Sequence, residues 1–296
     1  MKKILAFLLS LIMVVGLFAA CGDNNATEPN NTEPQGNTEP QGTTEPQVTE
    51  PDPTEPDPTE PDPTTPELTT VNPGKLTMAT NAFFPPYEYY EGETIVGIDA
   101  EIAAAIAEKL GLELQIDNME FNSIITAVTT GAADFGLAGM TITEKRLEEV
   151  DFSIVYANGV QAIIVKEGSA ITSKDDLGAE GATFKIGVQL GTTGDFLASE
   201  EFGDRVTQYN NGNEAVLALQ NGDVDCVIID NEPAKAFVNA NEGLKVLETT
   251  YADEDYAACF AQDNDALREA VNTAIEELIL DGTIDAIIEK YIPVEQ

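Results

Sequence analysis

The chain alternates short apolar runs with longer segments in which apolar residues recur at helical spacing. Residues 76–79 are apolar enough for a buried strand, and residues 99–110 place Ile102, Ile106 and Leu110 four positions apart. The alternation continues to the end of the chain. It predicts further strands at 112–116, 135–138, 162–165, 184–188, 226–229 and 256–260, and further helices at 121–130, 192–200, 214–220, 232–240, 266–280 and 284–291.

This order of elements predicts an α/β fold with mainly parallel sheets over residues 74–296. The pattern restarts after residue 160, which indicates two lobes rather than one. In open α/β sheets a ligand binds beyond the carboxyl ends of the strands. We therefore expect the functional residues in the segments that directly follow the predicted strands.

The first residues have the layout of a secretory signal peptide, predicted over residues 1–20. Lys2 and Lys3 precede an apolar run, and small residues stand just before Cys21. The run 17–21 (LFAAC) resembles the bacterial lipobox, which implies cleavage before Cys21 and lipidation of its thiol. A transmembrane helix is the alternative for the run, and a free thiol is the alternative for Cys21.

Residues 21–73 are predicted to be the lipidated cysteine followed by a disordered acidic tether. Thr-Glu-Pro occurs seven times between residues 27 and 61, and the segment holds almost no apolar residues. Such a chain cannot bury enough surface to offset its conformational entropy. Proline and like-charge repulsion keep it extended, so it would act as a spacer between a membrane and the folded region.

Composition excludes several classes of function. The formal net charge of −39 disfavours nucleic acid as a partner, because like charges repel. The chain has no His, which removes Ser–His–Asp and Cys–His catalysis and the commonest transition-metal ligand, so no metal site is predicted. Cys226 and Cys259 lie in apolar strand patterns, and we expect both to be buried and unpaired, with a disulfide as the alternative.

Three segments at predicted strand ends resemble family 3 extracellular solute-binding proteins, the polar-amino-acid receptors of ABC importers. The first is 81–89 (NAFFPPYEY) with 96–99 (VGID). The second is 138–146 (AGMTITEKR) with 150–153 (VDFS), and the third is 187–193 (GVQLGTT). The segments occur in the family's order and the resemblance covers essentially the whole folded region.

The resemblance implies a periplasmic-binding-protein-like type II fold, with two α/β lobes joined by two crossing strands and a ligand cleft between them. The first lobe would comprise about 75–160 and 256–296, and the second about 161–255. The implied protein is a monomeric, lipid-anchored receptor outside the cytoplasmic membrane that delivers a free amino acid to a membrane permease, without catalysis or cofactor. A dehydratase-like enzyme on the same scaffold and a sensory ligand-binding module remain alternatives.

Arg146 is the predicted partner of the ligand carboxylate, because its planar guanidinium donates two charge-assisted hydrogen bonds. A surface salt bridge to Glu148 or Glu149 is the alternative. Thr141 follows two small residues and is predicted to contact the ligand, whereas Thr143 fits a helix N-cap better.

The second lobe supplies the other polar contacts. Thr192 and Thr193 precede a predicted helix, whose N-terminus suits a carboxylate, with plain helix capping as the alternative. Asp230 ends a strand and by resemblance pairs with the ligand ammonium; helix capping is again the alternative. Gln189 matches a position that faces the ligand in some relatives.

The remaining predicted contacts shape the cleft. Ala138 and Gly139 let the backbone approach a ligand closely. By resemblance Phe84 and Phe121 flank the ligand's side chain. Asn81 stands where some relatives place a carboxylate. A neutral amide at this position disfavours a basic ligand, whereas the acidity of the folded region favours one.

Overall fold

The computed structural model describes residues 68–293. The predicted signal peptide, the lipidation site at Cys21 and the tether up to residue 67 lie outside these residues, and those interpretations stay predictions. Within residues 68–293, no helix is both long enough and apolar enough to cross a membrane.

The elements follow the predicted alternation, with several short additions. The strands are β1 (Lys75–Thr80), β2 (Phe83–Phe84), β3 (Glu88–Glu91), β4 (Thr94–Val96), β5 (Glu113–Asn118), β6 (Phe135–Gly136), β7 (Val150–Phe152), β8 (Ala157–Lys166), β9 (Ile186–Gln189), β10 (Val206–Tyr209), β11 (Cys226–Asp230), β12 (Leu244–Val246), β13 (Ala252–Tyr256) and β14 (Cys259–Ala261). The α-helices are α1 (Ile98–Lys109), α2 (Ile124–Thr129), α3 (Glu144–Leu147), α4 (Lys174–Gly178), α5 (Thr193–Phe202), α6 (Gly212–Asn221), α7 (Asn231–Ala240), α8 (Asp265–Leu280) and α9 (Thr283–Tyr291). Single 3₁₀ turns precede α2 and β10.

Two mixed sheets form the two lobes of the predicted fold. The sheet of the first lobe has the strand order β5-β1-β6-β14-β7, and that of the second lobe β10-β9-β11-β8-β12, with β13 also paired to β8. The central strands β5, β1 and β6 are parallel, as are β10, β9 and β11. The later strands β8, β12, β13 and β14 join antiparallel, so the sheets are mixed rather than mainly parallel.

The chain crosses between the lobes twice. It leaves the first sheet after β7 and enters the second at β8, and it returns between β13 and β14. The predicted single strand at 256–260 is therefore two strands in two different sheets. Its apolar pattern is continuous because Ala257 and Ala258, which carry the crossing, are themselves fully buried.

The apolar residues that recur at helical spacing lie on a buried helix face, as expected. Ile98, Ile102 and Ile106 of α1 are fully buried, which places one face of this helix against the first sheet. Burying such a side chain contributes about 1.5–3 kcal/mol, which outweighs weak helix propensity. Cys226 and Cys259 are both buried and free, as predicted, and burial raises the pKa of each thiol to about 12.

Candidate functional site

A small cavity lies between the two lobes. Every ligand-binding residue predicted from the sequence lines it, together with Glu88 and Glu254. The lining residues are Asn81, Phe84, Glu88, Phe121, Ala138, Gly139, Thr141, Arg146, Gln189, Thr192, Thr193, Asp230 and Glu254.

Arg146 lies on the short helix α3 and points into the cavity, where it is 4 % exposed. Its Nη1 donates to the Thr141 carbonyl at 2.6 Å and its Nη2 to the Gly191 carbonyl at 3.2 Å. Within residues 68–293, no carboxylate oxygen lies within 4.0 Å of this guanidinium. The alternative of a surface salt bridge to Glu148 or Glu149 is therefore wrong, because both glutamates are exposed.

The surroundings of Arg146 hold its side chain in place. Thr143 caps α3 as predicted, since its hydroxyl accepts a hydrogen bond from the Arg146 N–H at 3.2 Å. The guanidinium carbon lies 5.4 Å from the ring centre of Phe121 and 5.9 Å from that of Phe196. Burial lowers the pKa of Arg146, and the nearby carboxylates of Glu254 and Asp230 act in the opposite direction. An arginine stays charged under these conditions.

A pair of buried carboxyl groups forms another wall of the cavity. Gln161 on β8 donates through Nε2 to Asp230 Oδ2 at 2.8 Å and to Glu254 Oε2 at 2.7 Å. Tyr256 donates its hydroxyl to Asp230. The Asp230 side chain makes no capping bond to α7, so the capping alternative is wrong. Burial raises the pKa of Asp230 well above its usual range, and the neighbouring Glu254 adds to the effect.

Thr141 joins this carboxyl pair to the helix that faces it. Its hydroxyl donates to Glu254 Oε1 at 2.6 Å and accepts from the Thr193 hydroxyl at 3.0 Å. Thr192 caps α5, because its hydroxyl accepts from the Asp195 N–H at 3.2 Å. The capping alternative is thus confirmed for Thr192, which also lines the cavity. The first N–H groups of α5, at Thr193 and Gly194, have no intrahelical acceptor and carry the positive end of the helix dipole.

A direct hydrogen bond between Asn81 and Gln189 also spans the two lobes. Gln189 Nε2 donates to Asn81 Oδ1 at 3.0 Å, and Asn81 Nδ2 donates to the Met119 carbonyl at 2.7 Å. Each polar atom of the Asn81 side chain therefore has one protein partner, and each keeps one further hydrogen-bonding position. The lobes are closed on each other in this structure.

Gly139 lies against the Phe84 ring on the cavity wall. Its φ is +53°, and a Cβ there would lie 2.8 Å from a ring carbon of Phe84. Its N–H donates to Asp99 Oδ2 at 2.8 Å, and Ala138 beside it is almost fully buried. Only glycine combines this backbone conformation with this close approach.

Sequence reasoning missed three polar residues of the site: Glu88, Gln161 and Glu254. Glu88 lies inside the first quoted segment, but no role was predicted for it because it is an acidic residue among aromatic ones. Glu254 lies between two other acids, Asp253 and Asp255. Successive residues of a strand face opposite sides, and here Asp253 and Asp255 are exposed while Glu254 is buried. This alternation is the signal that could have identified Glu254. In the part of the chain that the structure describes, no three His, Cys, Asp or Glu side chains are placed to hold a metal ion.

The sequence matches the family model "Bacterial extracellular solute-binding proteins, family 3" over residues 76–294. The chain belongs to this family. The fold agrees with that membership, because the chain is similar to solved substrate-binding proteins of amino acid ABC transporters, with TM-scores of 0.70 and 0.69.

Particular relatives are similar along most of their length. The arginine-binding extracellular protein ArtP of Bacillus subtilis (strain 168) is 34 % identical over 222 residues, which cover 73 % of this chain and 86 % of ArtP. A probable histidine-binding protein of Neisseria gonorrhoeae is 29 % identical over 228 residues, covering 74 % of this chain and 84 % of the relative. The crystal structure of AbpA from Streptococcus pneumoniae Canada MDR_19A bound to L-arginine has a TM-score of 0.69 at 32 % identity, covering 75 % of this chain and 97 % of AbpA.

Proposed function

We propose that the cavity holds one free amino acid, with its carboxylate on Arg146 and its ammonium between Asp230 and Glu254. The broader function is that of the family: the protein is an amino acid-binding receptor of the kind that serves ABC importers. The assignment of individual contacts rests on the geometry of the cavity walls.

The observation that carries the proposal is the placement of opposite charges on separate walls. Arg146 is a buried cation with no carboxylate within 4.0 Å in residues 68–293, and Asp230 and Glu254 are two buried acids bridged by a neutral amide. A buried charge is costly unless it is paired. An α-amino acid carries a carboxylate and an ammonium on one carbon atom. One molecule therefore supplies a partner for Arg146 and a partner for the Asp230–Glu254 pair.

Helix α5 supports the carboxylate end of this site. Its N-terminus faces the cavity at Thr192 and Thr193, next to Gly191, whose carbonyl accepts a hydrogen bond from Arg146 at 3.2 Å. Free N–H groups at a helix N-terminus bind anions. The carboxylate would therefore be held by the first lobe through Arg146 and by the second lobe through α5, which couples binding to closure of the lobes.

The proposed cellular role rests on the N-terminal segment, residues 1–73. Lipidation of Cys21 would hold the protein at the outer face of the cytoplasmic membrane, because two or more acyl chains give stable anchoring. The Thr-Glu-Pro tether would let the folded region reach solutes and then a membrane permease. The closed, loaded monomer is the form that the permease would recognise.

The test is calorimetric titration of the purified full-length protein in detergent with each of the twenty amino acids. We expect at least one to bind with a dissociation constant in the micromolar range or below, and its α-methyl ester and N-acetyl derivatives to bind at least about 100-fold more weakly, since each loses one charged pole. The proposed function is wrong if no free amino acid binds, or if the blocked derivatives bind equally well.

A further inference from the structure

Gln161 binds both carboxyl groups of the acidic cavity wall through one side-chain nitrogen. It lies on β8 directly opposite Asp230 of β11, and its exposed fraction is 1 %. Its Nε2 donates to Asp230 Oδ2 at 2.8 Å and to Glu254 Oε2 at 2.7 Å, which uses both N–H groups of the amide. Gln161 is not among the residues that line the cavity. Its influence on a ligand must therefore pass through its neighbours.

The other oxygens of the two acids are held from different directions. Asp230 Oδ1 accepts a hydrogen bond from the Tyr256 hydroxyl, and Glu254 Oε1 accepts one from the Thr141 hydroxyl at 2.6 Å. Each acid thus has a donor on each oxygen and keeps further lone pairs for a ligand. Because every oxygen has a donor of its own, neither carboxyl group can rotate without breaking a hydrogen bond.

Two buried acids this close to each other are costly as a pair of anions, because like charges repel. Burial and the neighbouring Glu254 raise the pKa of Asp230 well above its usual range, and the hydrogen bonds from Tyr256 and Gln161 act in the opposite direction. A shared amide donor offsets part of the repulsion, since each carboxylate gains a charge-assisted hydrogen bond. Loss of the Gln161 N–H groups would therefore favour the protonated pair, which offers an ammonium fewer acceptor oxygens.

The oxygen of the Gln161 amide lies against the first turn of helix α5. A Cβ on Gly194, the second residue of this helix, would lie 2.5 Å from Oε1, so only a glycine leaves room for the amide. Oε1 is buried and accepts no hydrogen bond from residues 68–293. It lies instead beside the positive end of the α5 dipole, which favours an oxygen there. An amide turned the other way would place its oxygen against two carboxyl groups and lose both hydrogen bonds.

The hydrogen bonds around Gln161 form a continuous network between the lobes. Thr193 at the start of α5 donates to Thr141 of the first lobe at 3.0 Å, and Thr141 donates to Glu254 on β13. From Glu254 the network continues through Gln161 to Asp230 at the end of β11. Gln161 thus joins the acid that the first lobe holds to the acid that the second lobe holds.

We propose that Gln161 is a positioning residue of the binding site, which holds the carboxyl groups of Asp230 and Glu254 turned toward the cavity so that one ligand ammonium binds between them. This inference rests on the proposed function. Gln161 itself does not contact the ligand. Gly194 is part of the same arrangement, because any side chain at this position displaces the amide.

The first experiment removes the two N–H donors and keeps the length of the side chain. Gln161→Met is compared with Gln115→Met, because Gln115 also lies on a strand and donates to a carboxyl group, that of Asp117 at 3.1 Å, but does not line the cavity. Calorimetric titration of the full-length protein measures the dissociation constant of the tightest-binding amino acid. We expect Gln161→Met to weaken binding about 10-fold or more and Gln115→Met to change it less than about threefold. An unchanged dissociation constant in Gln161→Met would overturn the inference.

The second experiment displaces the amide and leaves Gln161 unchanged. Gly194→Ala puts a Cβ 2.5 Å from Oε1, whereas Gly178→Ala at the end of helix α4 adds a Cβ whose nearest atom is 4.0 Å away. Alanine is the better helix former at both positions, so intrinsic propensity does not explain a loss. We expect Gly194→Ala to weaken binding about 10-fold or more and Gly178→Ala to leave it within about threefold. Full affinity in Gly194→Ala would contradict the proposal, and this variant decides it if Gln161→Met does not fold.

A double-mutant cycle gives a readout that a purely structural role would not change. The dissociation constant is measured for Gln161→Met, for Glu254→Gln and for the double variant. If Gln161 acts through Glu254, its loss matters less once that carboxylate is gone. We therefore expect the double variant to bind at least about fivefold more tightly than the product of the two single losses predicts. Losses that simply multiply would mean that Gln161 supports the fold rather than the two acids, and would contradict the proposal.

The outcomes separate this inference from the proposed function. If a free amino acid binds in a manner that depends on Arg146, and neither Gln161→Met nor Gly194→Ala weakens its binding, the proposed function stands and the role of Gln161 is wrong. If no free amino acid binds to the unmodified protein, the proposed function fails and the inference fails with it.

Discussion

Arg146 of the first lobe donates a hydrogen bond to the Gly191 carbonyl of the second lobe, with Nη2 3.2 Å from the oxygen. The guanidinium assigned to the ligand carboxylate therefore also fastens the closed cleft. A ligand that orients Arg146 would stabilise the closed form by binding it more tightly than the open form. Capture and closure would be one coupled event.

The hydrogen bond between Asn81 and Gln189 is predicted to favour the closed form. Gln189→Ala removes this bond across the cleft and should weaken ligand binding about 3- to 10-fold. It should also increase the radius of gyration of the unliganded protein in small-angle scattering. Gln220→Ala is the control, since Gln220 bonds to Asn241 on the exposed surface. Unchanged affinity and radius in Gln189→Ala would show that this bond does not hold the lobes together.

Gly139 is predicted to tolerate no side chain. Gly139→Ala places a Cβ 2.8 Å from the Phe84 ring at a φ of +53°, and should lower the free energy of unfolding by about 2 kcal/mol or more and weaken ligand binding. Gly181→Ala is a matched control with a φ of +81° and no atom within 4 Å of its Cβ, so it carries the backbone strain alone. Chemical denaturation of both variants measures the difference. Equal losses would mean that the contact with Phe84 contributes nothing.

The Asp99 carboxyl predicts a pH dependence of stability. Burial raises the pKa of Asp99 from 3.8 to about 7, against the lowering effect of the Gly139 N–H and the Tyr156 hydroxyl, and Glu88 beside it is shifted in the same direction. Between pH 4 and pH 7 the folded protein therefore holds a proton that the unfolded chain has released. Its stability should fall as the pH rises through this window, by at most about 1.4 kcal/mol per pH unit for this group.

Asp99→Asn tests this pH dependence. The free energy of unfolding is measured by urea denaturation from pH 4 to pH 7 for both proteins. We expect the stability of the variant relative to the unmodified protein to increase steadily with pH, because asparagine has no proton to release. A difference that stays constant over the window would contradict the raised pKa.

Periodicity and local signals predicted much of the fold, and the failures have physical causes. The helices around Ile102 and Ile106 and the strands of the second lobe follow from apolar spacing, which burial enforces. The resemblance implied a return crossing at residues 256–260, but the pattern did not divide this run into two strands, because Ala257 and Ala258, which change sheets, are as buried as residues within a strand. The strands β2, β3 and β4 are too short and too polar for their pairing to be visible in the pattern.

The polar residues of the site also include some that the sequence predicted and some that it did not. Arg146, Thr141 and Asp230 were predicted from the resemblance and its motifs, and the structure brings them to one cavity. Glu88 and Glu254 were missed, because an acidic residue is normally exposed and only tertiary contacts bury it. The second crossing, between β13 and β14, places Glu254 against Thr141, which is 113 positions away in the chain.

Arg146→Lys tests the central account most directly, with Arg205→Lys as the matched control. Arg205 also donates to two backbone carbonyls, those of Leu177 and Ala182, but does not line the cavity. The dissociation constant of the tightest-binding amino acid is measured by calorimetry for both variants in full-length protein. We predict a loss of about 100-fold or more for Arg146→Lys, because an ammonium cannot bind a carboxylate through two parallel bonds, and a change below about threefold for Arg205→Lys. Unchanged affinity in Arg146→Lys would contradict the account.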